Sequence, residues 1–412
     1  MIHNISCVIL ALYTILMISA TTNLTNNYVA LIIILIFTFK YILKIKKNMI
    51  PVILLFIAWI IINLTVLIIF KRDVSYKTIL STGINYILYP AILLDVYGRK
   101  FIDTLESIVF YLTALSLPLY ILNMLFLDYF NSLRSVFCYI TRPVFLKIIN
   151  YWSAAIYVNA REESYGSLTV LRNHGFMWEP GYFATIIIIF LCYRWLKKGI
   201  KYDYIFFICA IAIITTFSTS GYFALLTLLL AGQLKKISFK RILIIGIILF
   251  LFVNYIFRLE FLGGKINTYV EDVKNDLFVY APEYSSVKLN RFGIALYDLS
   301  RVAHYPFGFG VTDRISFEDV DVVGTNGITG LLRMWGVVIF IYFMILIYKY
   351  HIYIANNKLS TYQIIFLYTA FMVVLFSQNL QYNVLLYLII LYPIMIGQDK
   401  TIRNINKIRE KR

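Results

Sequence analysis

Residues 205–217 read IFFICAIAIITTF and residues 28–43 read YVALIIILIFTFKYIL. Neither run alternates apolar with polar side chains, as a strand of a membrane barrel must. A segment that is apolar on all sides is a helix buried in lipid or among other helices. Runs of the same kind recur at 5–20, 50–70, 78–97, 104–127, 179–196, 221–234, 242–257, 327–348, 361–377 and 381–397. A hydrocarbon core of ~30 Å takes ~20 apolar residues in a helix, so each run is read as one crossing, the one through 205–217 spanning 203–217. The expected fold is all-α: a polytopic integral membrane protein with about 12 transmembrane helices, residues 1–412 forming a single membrane domain.

Composition agrees with that reading. Of the 412 residues, 61% are hydrophobic and 14% charged, and the mean hydropathy is +0.78. A soluble domain is about 45–50% apolar and about 25% charged, and could not hide this much apolar surface from water. The formal net charge of +17 does not indicate a nucleic-acid binder, because the cations fall in short runs between apolar spans. Residues 5–20 could be a signal peptide, but no A-x-A-like cleavage site follows, and they read as a first span. Of Cys7, Cys138, Cys192 and Cys209, three lie within apolar runs, and no pair has metal-ligand spacing. Neither a disulfide framework nor a metal site is expected.

With twelve crossings, 22 basic and 6 acidic residues fall on one side, and 16 basic and 15 acidic on the other. The first side includes Arg99, Lys100, Arg194, Lys197, Lys198, Lys358 and the basic tail after Asp399. The positive-inside rule makes that side cytoplasmic and places both termini there. Two long loops then face outward, about 128–178 and 258–325. Within the first, Arg142–Val158 reads as a helix lying in the outer interface.

The apolar runs are almost free of charge, unlike those of a carrier with ionisable groups at mid-membrane. Polar residues gather in the two outer loops instead. The first loop ends in Arg172-Asn-His174-Gly175-Phe-Met-Trp-Glu179-Pro180-Gly181. Pro180 suits a first helical turn, and Glu179 before it complements the helix dipole, so a helix start explains both. A carboxylate at a membrane edge near an arginine also suits an acid–base group beside an anion clamp. The second loop carries Asn290-Arg291, then Arg301-Val-Ala-His304-Tyr-Pro306-Phe-Gly308-Phe-Gly310, with Arg314, Asn326 and Arg333 following. Arginine binds phosphate oxygens bidentately. Gly308 and Gly310 after Pro306 most simply make a turn.

The pattern Arg172-x-x-Gly175-x-x-x-Glu179-Pro180 resembles a stretch of the O-antigen polymerase and O-antigen ligase superfamily (Wzy-type enzymes). Similar to the same enzymes are Arg291 ahead of Pro306-x-Gly308-x-Gly310, the run Asn326 to Gly336, and Ser218-Thr-Ser220-Gly221. Ligases of the family carry a histidine where this chain has Thr325, which favours the polymerase.

The resemblance implies an enzyme of the bacterial inner membrane: a glycosyltransferase that joins undecaprenyl-pyrophosphate-linked oligosaccharide repeat units into O-antigen, or a similar surface polysaccharide, at the periplasmic face. It implies no cofactor, and as partners membrane lipid, a chain-length regulator and a flippase. Catalytic roles fall to Glu179 or His304 as base and to Arg172 and Arg291 as pyrophosphate clamps. Substrate binding falls to Arg301, Arg314, His174, Gly175, Gly308, Gly310, Asn326 and Arg333. The alternatives are a ligase passing polymer to lipid A core, a carrier of the lipid-linked repeat, and a non-catalytic subunit of an assembly complex.

Overall fold

The computed structural model describes residues 2–21, 47–70, 75–148, 151–165, 168–233, 286–288, 291–303, 306–311, 315–317, 320–323 and 326–396. Its principal helices are α1 (Ile2–Ser19), α2 (Ile50–Phe70), α3 (Tyr76–Tyr97), α4 (Arg99–Leu125), α5 (Pro180–Lys198), α6 (Tyr204–Thr215), α7 (Thr219–Gln233), α8 (Arg291–Arg301), α9 (Gly327–Ala355), α10 (Thr361–Ser377) and α11 (Val384–Met395). Helices stand over ten of the twelve expected spans. The other two, 28–43 and 242–257, and the basic tail after Asp399 lie outside the described residues.

Among the described residues, four helical stretches are long and apolar enough to cross a membrane alone: Ile50–Ile69, Tyr76–Tyr97, Arg99–Leu125 and Gly327–Ala355. Their outward faces carry bare apolar side chains, such as Leu54, Ile68, Tyr111 and Val338, each more than 60% exposed. Apolar faces this open fit lipid as their solvent. The protein is an all-α membrane protein, with two small β sheets among the described residues.

Helix boundaries follow local chemistry. Gly98 takes φ +59° and lets α4 begin two residues after α3 ends. Asp203 accepts from Phe206 N at 3.1 Å to cap α6, and Asn383 accepts from Leu385 N at 2.7 Å to cap α11. Ser360 and Gln363 form a capping box on α10. The bundle is built around α5, whose residues 180–193 are all buried and which packs on α4, α6, α7, α9 and α10.

The C-terminal end of α5 is the charged end. There Lys197 pairs with Asp103, and Arg194 with Asp203 at 2.5 Å and Glu106 at 3.3 Å, while Lys358 Nζ donates to Lys197 O at 2.7 Å. Arg194, Lys197 and Lys358 are expected on one face, and they meet at one face. The N-terminus of α5, at the other end of its 19 residues, lies roughly 27 Å from it at the helical rise.

The first long loop differs from expectation. Residues 142–158 do not form an interfacial helix: among the described ones only Pro143–Leu146 is helical, and Ser153 bridges Val158. Aromatic packing takes the chain inward instead. Trp152 stacks on Phe137 with ring centroids 4.8 Å apart and donates from Nε1 to Phe130 O at 2.6 Å, beside the ring of Tyr157. A surface helix would have left these rings in the interface. Beyond it, β1 (Arg161–Tyr165) pairs antiparallel with β2 (Leu168–Arg172). In the second loop β3 (Ser286–Lys288), β4 (Ile315–Phe317) and β5 (Val320–Val323) form a sheet of order β3-β5-β4.

Candidate functional site

At the N-terminal end of α5, Glu179 has extended backbone, φ −140° and ψ 140°, and its side chain makes no bond to its own helix. Pro180 behind it has no N–H to offer. The carboxylate turns instead to Arg291, the first residue of α8, with Oε1 3.5 Å from a guanidinium nitrogen. Both side chains remain partly open, at 28% and 27% exposure. Charge-assisted bonds close to about 2.7–2.9 Å, so this contact is loose.

Arg291 is placed from both ends of its helix. Asn326 Nδ2 donates to Arg291 O at 3.2 Å, while Asn326 Oδ1 accepts from Ile328 N and Thr329 N to cap α9. Further along α8, buried Asp298 pairs with buried Arg333 of α9 at 3.0 Å. Burial raises the Asp298 carboxyl above the usual range, and Arg333 pulls it back only in part. Arg333 thus docks α8 against α9.

Around Gly181 several polar groups converge. A Cβ at that position would lie 2.5 Å from Gln378 Nε2, 3.3 Å from Glu179 Oε1 and 3.5 Å from Ser218 Oγ. Ser218 leads into α7 and accepts from Gly221 N at 3.3 Å. Gly221 matters by size: a Cβ there would sit 2.9 Å from the Ala184 methyl, so its absence lets α7 close on α5. Gln378 follows α10 directly and is 2% exposed. Its Nε2 has no hydrogen-bond partner among the described residues, and neither does Gln381 Oε1 nearby in sequence.

The remaining first-loop residues are placed differently. Arg172 donates from Nε to Thr216 O at 2.9 Å and pairs with Glu163 at 2.6 Å. Asn173 N donates to Thr215 O at 2.9 Å. The loop is therefore tied to the α6–α7 turn. His174 is wholly buried, with Nδ1 3.3 Å from Trp178 O and Nε2 unpartnered among the described residues. Burial, with Arg161 and Arg172 nearby, holds its pKa well below the ordinary value and keeps the ring neutral. Gly175 takes φ +56°, and a Cβ would strike the Phe183 ring.

Gly308 (φ +93°) and Gly310 (φ +67°) lie in an irregular strand that repairs a break in α9. Gly336 has φ 73° and ψ 173° and interrupts that helix. Across the gap Phe309 N donates to Arg333 O at 2.7 Å, Gly310 N to Met334 O at 3.1 Å, and Val337 N to Pro306 O at 2.8 Å. Asn63 of α2 accepts from Val311 N at 2.9 Å. The amides of Phe309 and Gly310 are thus engaged by α9 carbonyls. Arg301 closes α8; His304 and Arg314 lie outside the described residues.

Of the residues singled out from sequence, the structure brings together Glu179, Arg291, Asn326 and Ser218. Sequence reasoning missed Asp298, Gln378 and Gln381. A signal for the last two existed: Gln378-Asn-Leu-Gln381 is an uncharged polar cluster between two apolar runs. Among the described residues no group of His, Cys, Asp and Glu is arranged to hold a metal ion. Comparisons with protein-family models, with curated proteins and with solved structures give no match.

Proposed function

We propose that the chain is a membrane-embedded glycosyltransferase that polymerises oligosaccharide repeats carried on undecaprenyl pyrophosphate. The observation that carries the reading is the Glu179–Arg291 pair: a carboxylate and a guanidinium in loose, partly open contact, set over the apolar bundle at the end opposite the charged one. A partly exposed ion pair is worth about 0–1 kcal/mol, so substrate separates it at little cost.

In the reaction, an acceptor sugar hydroxyl attacks C1 of the reducing-end sugar of a lipid-linked chain. The new C1–O bond forms as the C1–O bond to pyrophosphate breaks. The hydroxyl proton passes to Glu179, and undecaprenyl pyrophosphate leaves with the bonding electron pair. Arg291 stabilises the charge gathering on the departing oxygen, and Glu179 acts as general base. His304 is the competing base in this reading, and Arg301 and Arg314 keep the substrate-binding role that the resemblance gives them. Arg172 and Arg333, held by Glu163 and Asp298, position the loops.

The polymerase reading includes twelve crossings, the charged end in the cytoplasm and the site at the outer face of the inner membrane, where the positive-inside rule puts it. The test is purified protein in vesicles with a synthetic undecaprenyl-pyrophosphate-linked repeat. A ladder of products spaced by one repeat supports the reading; unchanged substrate, or substrate moved across the bilayer without bond formation, removes it.

A further inference from the structure

At the charged end of the bundle, remote from Glu179, α4, α5 and α6 enclose a cleft of about 240 Å³ that the reaction above does not use. Its three walls change character in the same direction. On α4 it is lined by Asp103 and Glu106, and farther from the charged end by Phe110 and Tyr111. On α5 the lining runs from Lys198, Lys197 and Arg194 to Leu191, Phe190 and Ile187. On α6, Tyr204 stands at the charged rim, with Ile205 and Cys209 deeper. Ile187 precedes Lys198 by 11 residues, roughly 16 Å at the helical rise, and one leaflet of a ~30 Å hydrocarbon core is about as deep. Tyr111 and Tyr204 are both exposed, so the cleft opens sideways, where the bilayer lies.

A water-soluble ligand would leave the apolar half uncovered, and a hydrocarbon would press against the charges. An amphiphile with a charged head and an acyl chain matches both halves, and basic clefts between membrane helices do bind lipid headgroups. The head must carry both signs, because the cleft does. Arg194 is bound to Asp203 at 2.5 Å and Lys197 to Asp103, whereas Lys198 is exposed and makes no ion pair among the described residues. Lys198 is therefore the cation left for a phosphate. Glu106 is held only from 3.3 Å by Arg194 and from 3.8 Å by Lys197. Closed charge-assisted bonds measure about 2.7–2.9 Å, so its oxygens can take a further N–H donor. The cleft holds a headgroup and the start of one chain. The remainder has a path along the outer faces of α4 and α6, where Leu115, Phe207 and Ile211 are bare.

We propose that this cleft binds one phospholipid of the phosphatidylethanolamine class, with its phosphate on Lys198 and its primary ammonium on Glu106. The lipid comes from the leaflet that meets the charged end, and its chain passes between Phe110 and Phe190. It ties α4, α5 and α6 together at the end of α5 opposite Glu179. The inference stands apart from the polymerase reading. Selectivity rests on Glu106: the nitrogen of phosphatidylcholine has no N–H to donate, and phosphatidylglycerol brings a phosphate with no cation beside it.

The test is native mass spectrometry of the full chain in detergent, titrated separately with dioleoyl phosphatidylethanolamine, phosphatidylcholine and phosphatidylglycerol. The first binding step is read for each. Phosphatidylethanolamine should bind about tenfold more tightly than either of the others, the scale of one charge-assisted hydrogen bond. Soluble phosphoethanolamine at the same concentration should not displace it, since the apolar half of the cleft gives that probe nothing to cover. Glu106→Gln keeps the side-chain volume and removes the charge, and should erase the preference over phosphatidylglycerol. Lys198→Ala should weaken the first step for all three lipids. So should Ser107→Trp, which sets a ring in the α4 wall of the cleft without removing an ion pair. Equal first-step affinities in the wild type, a preference for phosphatidylglycerol, or displacement by phosphoethanolamine overturns the proposal. An unaltered preference in Glu106→Gln overturns it as well. Should Glu106→Gln fail to fold, the other two variants decide: wild-type binding in both overturns the site, and weakened phosphatidylethanolamine binding in both supports it.

Discussion

Replacing Glu179 by Gln removes one negative charge and almost no volume, and the structure separates its effect on folding from its effect on chemistry. The carboxylate makes no hydrogen bond to its own helix, so only the dipole contribution of a helix-start carboxylate is lost, about 0.3–1 kcal/mol. Its contact with Arg291 is 3.5 Å long with both partners more than a quarter exposed, and a pair of that kind contributes about 0–1 kcal/mol. The sum is a small part of the stability of a buried bundle, and Glu179→Gln should reach the membrane at near wild-type abundance. Catalysis is another matter. Glutamine cannot take the acceptor proton, and loss of a general base lowers a rate about 10²–10⁴-fold. The assay is polymer formation by Glu179→Gln at matched abundance, with His304→Ala beside it. Normal polymer from Glu179→Gln together with none from His304→Ala would refute the assignment and make Glu179 a helix start only. Activity in both would leave the chemistry to positioning and arginine electrostatics.

Arg291→Ala should lower polymer formation about 10²–10³-fold, as the loss of one donor aimed at developing charge does. Arg291→Lys should fall between, having charge without the planar fork; wild-type polymer in Arg291→Ala removes this residue from the site. Arg333→Met takes the guanidinium away from the buried Asp298 carboxylate, and should cost about 3–5 kcal/mol of stability. Adding Asp298→Asn should restore most of it, read as thermal denaturation in detergent, whereas a substrate-binding Arg333 would lose activity and keep stability. His174 has a folded pKa below its unfolded value. Its contribution to stability is therefore complete above the unfolded pKa, about 6.5, and is lost as pH falls below that towards the folded pKa. His174→Gln should flatten the drop in melting temperature between pH 7.5 and 5, and an unchanged slope contradicts a buried neutral ring. In a cysteine-free background, Glu162→Cys should react with a membrane-impermeant maleimide from the outer side and Lys198→Cys should not; the opposite labelling inverts the topology.

Much of the fold was legible because a membrane span declares itself locally. Ile50–Phe70 contains no charge and needs no partner to be recognised, and Gly98, Ser360 and Asn383 mark helix ends by chemistry within a few residues. The strands were not legible: three to five residues each give no alternation to count. The interfacial helix expected at 142–158 failed for a tertiary reason, since Trp152 and Tyr157 close on Phe130 and Phe137 from outside the segment.

The site was half legible. Glu179-Pro180 announces a helix start and a placed carboxylate, but Arg291 stands 112 residues away, and only the fold shows that they meet. Arg333 read as a free cation because Asp298, on another helix, carries no sequence sign of pairing. Gly308 and Gly310 read as a turn, while their docking into the break at Gly336 depends on a backbone interruption that a single glycine in an apolar run does not reveal. Gln378 carries no charge to mark it in the sequence, and the groups surrounding Gly181 include two that are neutral.

The central claim is that the Glu179–Arg291 pair forms a glycosidic bond at the expense of a polyprenyl pyrophosphate bond. Its most direct measurement is stoichiometric: undecaprenyl pyrophosphate released per repeat joined, by purified protein in vesicles given one defined lipid-linked repeat. The account gives a ratio of one in the wild type, and loss of both products together in Glu179→Gln and Arg291→Ala. Release without joining, joining without release, or full turnover in both variants would contradict it.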